Sequence, residues 1–462
     1  MSLFSSLTTA ITGLDAQQNA IGNISDNISN AQTIGYKGVN TSFENLVTES
    51  TPQLNQPGGV KAAPIYQNDV AGNLTPSNVT TSLAISGAGF FQVKAPPPAV
   101  PAGQQPVFSQ QNLYTQAGDF TLNKDGFLVN SAGYYLTGYS VTPQTKVVNT
   151  STTVPIQVSQ LVDAPQPTAN FNLAANLPSS YAIVGSPGYI QPSPITEQVF
   201  DATGAAHTET IQFDHTAVNV WTATISSAGS QPATNTPSVL QLTFSDGSTI
   251  PNGSYASAPP AGTLVGIKDI TPAAVAPATT PPAATNIPAS APGSSANFTL
   301  PLSFGAGAQS ITFNIGQYGE SKGITQFADS AVTVQSVTQD GIPRGSFENL
   351  TIDENGFVNL NYTNGQTLSF FQIPVAQFNA PDQLQRLQGS AFSSTIDSGD
   401  PQLNPPGVNG NGTIAPSTLE QSNVDIATEF TKLITAQQVY SANSKVITTA
   451  NQLLTTVIGL IQ

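Results

Sequence analysis

The sequence predicts a multidomain protein with an α-helical, coiled-coil-like terminal domain and two antiparallel all-β domains, discontinuous (nested) in sequence. Three observations predict this fold class. Large apolar residues recur every seventh position at both ends of the chain, apolar residues alternate in between, and Asp-Gly or Asn-Gly dipeptides separate the alternating runs. A seven-residue repeat keeps one stripe on one side of a helix, whereas a two-residue repeat lines one face of a strand. The two ends are therefore expected to pair as helices around nested β domains.

Length and composition limit the classes of protein that this chain can be. Its 462 residues suffice for about three domains at about 150 residues each. The net charge is −15, and the 11 basic residues are scattered singly. Because phosphate backbones and anionic surfaces need clustered cations, no nucleic acid and no membrane surface is expected as a partner. Cysteine is absent, which excludes disulfides, thiolate catalysis and Cys-based metal sites.

The two apolar stripes define the predicted helix-pair domain, residues 1–32 and 419–462. The C-terminal stripe is Leu419, Ile426, Leu433, Tyr440, Ile447, Leu454 and Ile461. The N-terminal stripe is Leu7, Leu14, Ile21 and Ile28, with Leu3, Ala10, Ile24 and Ala31 interleaved. At 1.5 Å per residue the C-terminal helix would be on the order of 60 Å long. Such a pair must project from the β domains.

In a second row of the C-terminal repeat, half of the residues carry side-chain amides. It reads Asn423, Phe430, Gln437, Ser444, Asn451 and Ile458. Two helices with one apolar row each bury little area, whereas many copies packed side by side could satisfy several faces. The simpler alternative is an intramolecular two-helix stalk, and polymerisation is the competing hypothesis.

The segments next to the helices are predicted as connectors, 33–72 and 382–418, because they are rich in Asn, Thr, Pro and Gly. Gly35 is a plausible helix stop. The core β domain is predicted over 73–146 and 327–381. Its hairpin signals are Asp125-Gly126, Asn355-Gly356 and Asn364-Gly365, each between alternating apolar runs.

Residues 147–326 are predicted to form an inserted outer β domain. Alternating runs occur at Ile211 and Phe213, around the lone Trp221, at Leu240 to Phe244, and at Ile311 to Ile315. The Pro-rich segments 271–293 and 95–106 are predicted as extended surface loops.

No catalytic, cofactor-binding or metal site is predicted. His207 and His215 are expected on the same face of one strand as exposed polar residues, because zinc would need more ligands. Asp353 to Gly356 lacks the spacing of a calcium loop and is explained by a hairpin turn. Carboxylate pairs of glycoside hydrolases are set by space rather than sequence, so no pair can be singled out among the 26 acids.

The chain has no visible Sec-type leader and no predicted membrane span. Residues 1–36 contain no Lys or Arg, and nowhere do about 18 apolar residues run together. Any export is expected to use a route that reads no cleavable leader.

Several blocks resemble the bacterial flagellar axial family, which contains hook and rod proteins. The N-terminal block is Asp26 to Lys37, and the C-terminal block runs from Leu419 to Asp425 and on through Phe430, Gln437, Ala442 to Ser444 and Ile447. Between them, Leu83 to Phe91, Tyr114 to Phe120 and Asn361 to Gln372 are similar to the family core. The match covers roughly 1–146 and 327–462, and the large insert points to the hook rather than to the shorter distal rod proteins.

The resemblance implies a structural role. Paired terminal helices would line a channel, and β domains would stack outward into a curved, flexible tube that transmits torque from rod to filament. Expected partners are further copies of the chain, the hook cap, distal rod and hook–filament junction proteins, and the flagellar type III export apparatus; the expected location is the extracellular hook. No cofactor is implied.

Two sets of residues carry this hypothesis. The predicted helix and polymer interface is Leu7, Leu14, Ile21, Ile28, Leu419, Ile426, Leu433, Tyr440, Ile447 and Leu454. Asn27, Asn30, Gly35, Tyr36 and Lys37 match the signature and are expected at the bend between helix and connector, with a simple helix stop as the equal alternative. A distal rod or hook-junction protein stays open, as does a secreted β-rich glycan-active enzyme with a helical stalk.

Overall fold

The computed structural model describes residues 3–51, 54–98, 106–143, 145–158, 163–229, 237–248, 258–271, 285–287, 293–304 and 307–461. Over these residues the chain is mostly β, with one long helix near each end. It folds into two compact units. The first comprises Met1–Leu161, Glu348–Asn361 and Thr367–Gln462, and the second Val162–Phe347 with Tyr362–Gln366.

The helices are α1 (Leu3–Ser29) and α2 (Ile426–Ile461). The start of α2 is set by Asp425, whose side-chain Oδ1 accepts a hydrogen bond of 2.7 Å from the backbone N–H of Thr428. This is the usual geometry of a helix N-cap. The helix prediction from residue 419 is therefore wrong for its first seven positions: Leu419 lies in a strand, because the seven-residue spacing extends beyond the cap.

The first unit begins with ten strands. They are β1 (Val39–Thr51), β2 (Leu54–Tyr66), β3 (Leu74–Pro76), β4 (Leu83–Ser86), β5 (Phe90–Lys94), β6 (Leu113–Thr115), β7 (Thr121–Leu122), β8 (Leu128–Val129), β9 (Tyr135–Thr142) and β10 (Val147–Pro155). Strand β10 pairs antiparallel with β9. Residues 147–155 thus belong to the first unit and not to the predicted insert. The predicted boundary is wrong because nothing in the sequence of this polar strand indicates which strand it pairs with.

Strands β1 and β2 form a long antiparallel hairpin within 33–72, the segment predicted as a connector. The hairpin lies along α1: Asn23 donates a 2.9 Å hydrogen bond to the Thr41 hydroxyl, and the Val60 N–H donates to Thr12 Oγ1. Because hydrogen bonds contribute to its contact with the helix, a low apolar content does not indicate a connector here.

The second unit contains eleven strands within the described residues. They are β11 (Asn170–Asn176), β12 (Ile195–Phe200), β13 (Ala206–Ala217), β14 (Val220–Ser227), β15 (Ser238–Phe244), β16 (Leu264–Asp269), β17 (Thr285–Ile287), β18 (Ser295–Ser303), β19 (Ala308–Gln317), β20 (Ile324–Thr325) and β21 (Thr333–Gln339). Strands β12 to β17 form one antiparallel sheet in sequence order, and β18, β19, β11, β20 and β21 form a second sheet. Buried apolar residues of both sheets, including Phe213, Trp221 and Phe313, make one continuous core.

The prediction of purely antiparallel sheets is wrong at β11. This strand pairs in parallel with both β19 and β20, and antiparallel with β21. Parallel neighbours cannot be joined by a tight turn, so no local dipeptide marks such a pairing in the sequence. Because β21 completes this sheet, residues 327–347 belong to the second unit and not to the core domain where they were predicted.

The chain then returns to the first unit with nine strands and a 3₁₀ turn at Pro381–Gln383. The strands are β22 (Phe347–Ile352), β23 (Phe357–Tyr362), β24 (Thr367–Gln372), β25 (Val375–Gln377), β26 (Gln385–Leu387), β27 (Ala391–Ser393), β28 (Gln402–Asn404), β29 (Thr413–Pro416) and β30 (Thr418–Glu420). The predicted turns at Asp125-Gly126, Asn355-Gly356 and Asn364-Gly365 are confirmed, each with its glycine at a φ near +79°.

The second predicted connector, 382–418, is also β structure. Strand β27 pairs with β6, β28 with β25, and β29 with β4. The main sheet of this unit runs in the order β22, β23, β24, β9, β5, β6, β27, β26. Short strands with few apolar residues read as irregular in sequence because their partners lie far away along the chain.

Two further expectations concern the second unit and the Pro-rich segments. His207 and His215 lie on the same face of β13, as predicted, but that face points inward: His215 is buried and stacks on Trp221 with ring centres 4.8 Å apart. The prediction that they are exposed is wrong.

Most of 271–293 and of 95–106 lies outside the described residues, apart from β17 and the ends of both segments.

Candidate functional site

The terminal helices pack against each other in antiparallel order. Near the end of α1, Asn27 Nδ2 donates a 3.2 Å hydrogen bond to Glu429 Oε2 near the start of α2. About four turns earlier in α1, Gly13 lies against Asn443, so closely that a Cβ at residue 13 would meet the Asn443 amide at 2.8 Å. The head and tail of the chain therefore meet in one helix pair, as the two stripes predicted.

The buried seam of this pair consists mostly of small and polar residues. On α2 the contact row is Glu429, Ala436, Asn443 and Ala450, and on α1 the buried residues include Ala10, Gly13, Ala20, Ile24 and Asn27. Small side chains let two helix backbones approach closely. The predicted second row, with Phe430, Gln437, Ser444 and Asn451, is exposed instead. It was placed one residue too late, because alanines and amides do not stand out as an apolar stripe.

The predicted interface residues flank the seam. Leu7, Leu14, Ile21, Ile28, Leu433, Ile447 and Leu454 are half-buried. Ile426 and Tyr440 are exposed, at 43% and 41%. Leu419 is half-buried in β30 and lies outside the helix. The pair within one chain thus covers these large side chains only in part.

Further apolar side chains on α2 are only partly covered by the rest of the chain. Ile426, Phe430 and Ile434 follow one flank of the first turns, and Phe430 and Ile434 are 50% and 56% exposed. Val439, Val446 and Leu453 follow the other flank at a seven-residue spacing and are also exposed. Exposed apolar rows on both flanks of a helix indicate surfaces for further packing.

The signature residues lie together where α1 leads into the hairpin. The Asn27 side chain pairs with the backbone of Val39 through two hydrogen bonds of 2.9 Å. Asn30 Nδ2 donates to the Asp26 carbonyl and carboxylate, both at 3.0 Å. Gly35 has a φ of +65° and packs so closely on the Ala117 backbone that a Cβ would lie 2.5 Å from its nitrogen. Only glycine fits there.

Lys37 and Glu420 form a buried ion pair beside this bend. Lys37 Nζ lies 2.6 Å from Glu420 Oε1, and each side chain is 1% exposed. Lys37 also donates to the Val70 carbonyl at 2.8 Å, and the Gly72 N–H donates to the same Glu420 oxygen at 2.7 Å. Burial lowers the pKa of Lys37, and the Glu420 carboxylate opposes that effect. The pair holds three distant chain segments together.

Asn423 and Tyr36 complete the junction. Asn423 Oδ1 accepts from the Gly38 N–H at 2.7 Å, and its amide nitrogen donates to the Gln67 and Val70 carbonyls. The Tyr36 hydroxyl donates to Asp26 Oδ2 at 2.9 Å. Burial, together with this carboxylate, raises the pKa of Tyr36 to about 12. We call the contacts of residues 35–38, 66–72 and 420–423 the polar junction.

The second unit holds a small group of ionisable side chains. His207 Nε2 lies 3.0 Å from Asp201 Oδ2, and its ring stacks on Phe304. Two residues along the same face, Glu209 is fully buried and accepts a 2.6 Å hydrogen bond from the Ser227 hydroxyl. Burial raises the pKa of Glu209 to about 7, although the Ser227 hydroxyl and His207 oppose it. Across the described ranges, three or more His, Asp or Glu side chains nowhere converge as metal ligands would.

Models of flagellar protein families match three parts of the chain. The flagellar hook protein FlgE/F/G D1 domain matches 84–164, the flagellar basal body protein FlaE D2 domain matches 193–342, and the flagellar basal body rod FlgEFG protein C-terminal model matches 415–460. The D1 match lies almost wholly in the first unit and the D2 match in the second. Together these models cover more than half of the chain.

Curated relatives match along the whole length. The flagellar hook protein FlgE of Brucella abortus is 28% identical over 461 residues, with 100% of both chains covered. That of Rhizobium meliloti is 29% identical over 475 residues, again with full coverage. That of Escherichia coli is 27% identical, with 98% of each chain covered. The chain belongs to the flagellar hook protein family.

A solved structure shows a weaker likeness to this hook-family chain. The crystal structure of Helicobacter pylori flagellar hook protein FlgE2 has a TM-score of 0.42 at 17% identity, and covers 75% of this chain and 100% of its own. Among the helices that the structure describes, none is long and apolar enough to cross a membrane.

Sequence reasoning missed several residues of this hook-family junction. Glu420 and Asn423 lie inside the C-terminal block that carried the resemblance, so their positions could have been singled out with the N-terminal signature. Arg386 and Asn68 had no signal at all. Asn68 is fully buried, and its backbone and side chain bind Asp382 and Pro381. Their role becomes visible only when the segments around 37, 68 and 386 come together.

Proposed function

We propose that this protein polymerises through its terminal helices into the flagellar hook, a curved and flexible tube that works as a universal joint. The tube would transmit torque from rod to filament and carry the export channel. The protein is a structural subunit of the hook, and the full-length relatives bear that name. The hook is favoured over a distal rod or junction protein because these relatives match across the second unit as well.

The observation that carries polymerisation is the exposed apolar surface of α2. One chain buries a single narrow face of this helix, and Phe430, Ile434, Val439, Val446 and Leu453 remain exposed. Copies packed side by side would cover both flanks, since each helix would offer apolar rows to neighbours on either side. A coiled-coil-like arrangement of the helix pair, and the nesting of the outer β domain within the chain, are part of this proposal.

The half-buried residues next to the seam are proposed as the shared interface. Leu7, Leu14, Ile21, Ile28, Leu433, Ile447 and Leu454 would contact both the chain's own second helix and helices of neighbouring copies. Ile426 and Tyr440 would contact neighbours alone, because they are exposed within one chain. The polar junction would fix the direction in which the helix pair leaves the β core.

The proposed partners are those of a hook: further copies of the chain, the hook cap, distal rod and hook–filament junction proteins, and the type III export apparatus. The proposed location is the extracellular hook, reached without a cleavable leader. Neither nucleic acid nor membrane insertion is part of the proposal. It includes no catalytic activity, and nothing in the geometry of the described residues favours a glycan-active enzyme.

Electron microscopy of the concentrated, purified protein tests polymerisation directly. Tubes are expected for the natural sequence. Phe430→Asp should abolish them, because burying an unpaired carboxylate at a helix contact costs several kcal/mol per subunit. Since Phe430 lies outside the intramolecular seam, the fold of each chain should survive, as circular dichroism will verify.

Phe430→Leu is the matched control. It keeps the site apolar and should still form tubes at the natural subunit concentration. Tubes formed equally well by Phe430→Asp would show that this flank faces no neighbour, and the absence of tubes and hooks for the natural sequence would contradict the function itself.

A further inference from the structure

One side chain of the first unit contacts two of the three segments of the polar junction, residues 35–38 and 66–72. The Arg386 guanidinium lies 5.6 Å from the ring centre of Tyr36 and 5.0 Å from that of Tyr66. It donates a hydrogen bond to the Lys37 carbonyl and another, of 3.2 Å, to Asn68 Oδ1. Arg386 is thus held between two aromatic rings and two neutral oxygens.

These contacts join two different parts of the unit. Arg386 belongs to β26, where it is paired with Phe392 of β27, and β27 continues the main sheet through β6. Tyr36 lies seven residues after the end of α1 at Ser29, and its hydroxyl donates a hydrogen bond to Asp26 in the last turn of that helix. Tyr66 is the last residue of the hairpin that lies along α1. The guanidinium therefore comes from the β core and both rings from the helical part.

The nature of the contacts indicates positioning rather than charge neutralisation. Within the described residues no carboxylate lies within ion-pair distance of Arg386, whereas the nearby Lys37 is paired with Glu420. A guanidinium is flat, stacks on aromatic faces and donates in fixed directions, so it holds the parts around it at defined angles. A lysine ammonium is a point charge on a flexible stem and cannot do this.

We propose that Arg386 is a positioning residue that fixes the angle between the terminal helix pair and the β core, and thereby the stiffness of each subunit's joint in the tube. This rests on the proposed function, because the stiffness matters only in the polymer. The Lys37–Glu420 pair holds the segments together, and Arg386 sets their orientation. Bending of the tube would deform this contact first.

Arg386→Lys in the full-length protein tests the proposal, with hydrogen exchange of the assembled tubes as the first readout. Amides of residues 35–38 should exchange about fivefold faster, as expected when a stacking contact worth about 1 kcal/mol is lost. Amides of β9, in the middle of the same sheet, should be unchanged. A residue that merely stabilised the fold would accelerate both.

The second readout is the shape of the tubes in electron micrographs. Arg386→Lys tubes should show a broader distribution of curvature than natural tubes. Tyr66→Leu removes one of the two rings that the guanidinium contacts and should broaden the curvature distribution equally. Because both changes disrupt the same contact, the double variant of Arg386→Lys and Tyr66→Leu should be no broader than either single variant. Tyr66→Phe keeps the ring and should match the natural protein. Arg344→Lys, at the chain's other arginine, is the charge-matched control and should change nothing.

The outcomes separate this inference from the proposed function. If tubes of both Arg386→Lys and Tyr66→Leu show the hydrogen-exchange rates and the curvature distribution of the natural protein, the proposed role of Arg386 is wrong. Polymerisation would be unaffected by that result. Failure of the natural protein to form tubes or hooks would overturn the proposed function. In that case the exchange comparison on the monomer still decides whether Arg386 orders residues 35–38.

Discussion

The core of the second unit and the seam of the helix pair bury very different surfaces. The second unit packs Phe213, Trp221 and Phe313 between two sheets, and each aromatic side chain buries about 150–250 Å². The helix seam packs alanines, amides and a glutamate, with little apolar area per residue. At about 25 cal/mol per Å², the second unit can stabilise itself, whereas the helix pair depends on neighbours to cover its flanks.

The largest expected effect tests the self-sufficiency of the second unit. Phe313→Ala should lower its free energy of unfolding by about 3–5 kcal/mol, through lost burial and the cavity left behind. Phe313 is fully buried. The lone Trp221 lies in the same core, so its fluorescence in a denaturant titration reports this unit.

Phe327→Ala is the control for that measurement, because Phe327 belongs to the same unit but is 43% exposed. Its effect should stay below about 1 kcal/mol. Equal losses for both variants would mean that the core is not close-packed, and the contrast with the helix seam would disappear.

The second prediction concerns the polar junction of the first unit. Lys37→Met leaves the Glu420 carboxylate buried without its cation and should destabilise the junction by about 3 kcal/mol. This value is at the lower end of the cost of removing one partner from a buried ion pair. The reason is that Glu420 keeps its hydrogen bond from the Gly72 N–H. Hydrogen exchange of residues 35–38 should rise, while the Trp221 unfolding transition should not move.

The double variant Lys37→Met, Glu420→Leu sharpens this prediction. It removes both charges, so most of the lost stability should return. A double variant as unstable as the single one would show that shape and backbone contacts, rather than the unpaired charge, hold the junction.

The sequence predicted the features that adjacent residues determine, but it did not predict contacts between segments far apart in the chain. Asn364-Gly365 predicted its hairpin because two adjacent residues determine the turn. The parallel pairing of β11 with β19, and the Lys37–Glu420 pair across 383 positions, depend on segments that come together only in the fold. The stripes predicted the helix pair, but not that Ala436 and Asn443 would line its seam, because large side chains give the strongest periodic signal.

The third prediction uses pH to probe Glu209, a fully buried carboxyl of the second unit. Its pKa of about 7 lies above the ordinary value of 4.5, so the folded state binds more protons than the unfolded state between these values. The resulting stability is complete below pH 4.5 and is lost as pH rises through 7. The full loss of stability from Glu209 should be on the order of 3 kcal/mol.

Glu209→Gln should abolish that dependence in denaturant titrations followed by Trp221 fluorescence between pH 5 and 8. Glu197 lies opposite Glu209 on the neighbouring strand and is half-buried, so Glu197→Gln is the matched control and should retain the slope. A slope that persists unchanged in Glu209→Gln would show that Glu209 is not its source.

The smallest expected effect tests how closely the two helices approach. Both Gly13 and Gly22 lie within α1, but Gly13 contacts Asn443, whereas a Cβ at residue 22 would meet nothing within 4 Å. Gly22→Ala should stabilise the helix by about 0.5–1 kcal/mol, because alanine loses less backbone freedom.

Gly13→Ala gains the same helix propensity but must displace the Asn443 amide, so its net effect on stability should be near zero or destabilising. The thermal midpoint of the assembled tubes measures both, and Gly13→Ala combined with Asn443→Ala should regain the full stabilisation because the clash is removed. Equal stabilisation by the two single variants would mean that the helices do not pack closely at Gly13.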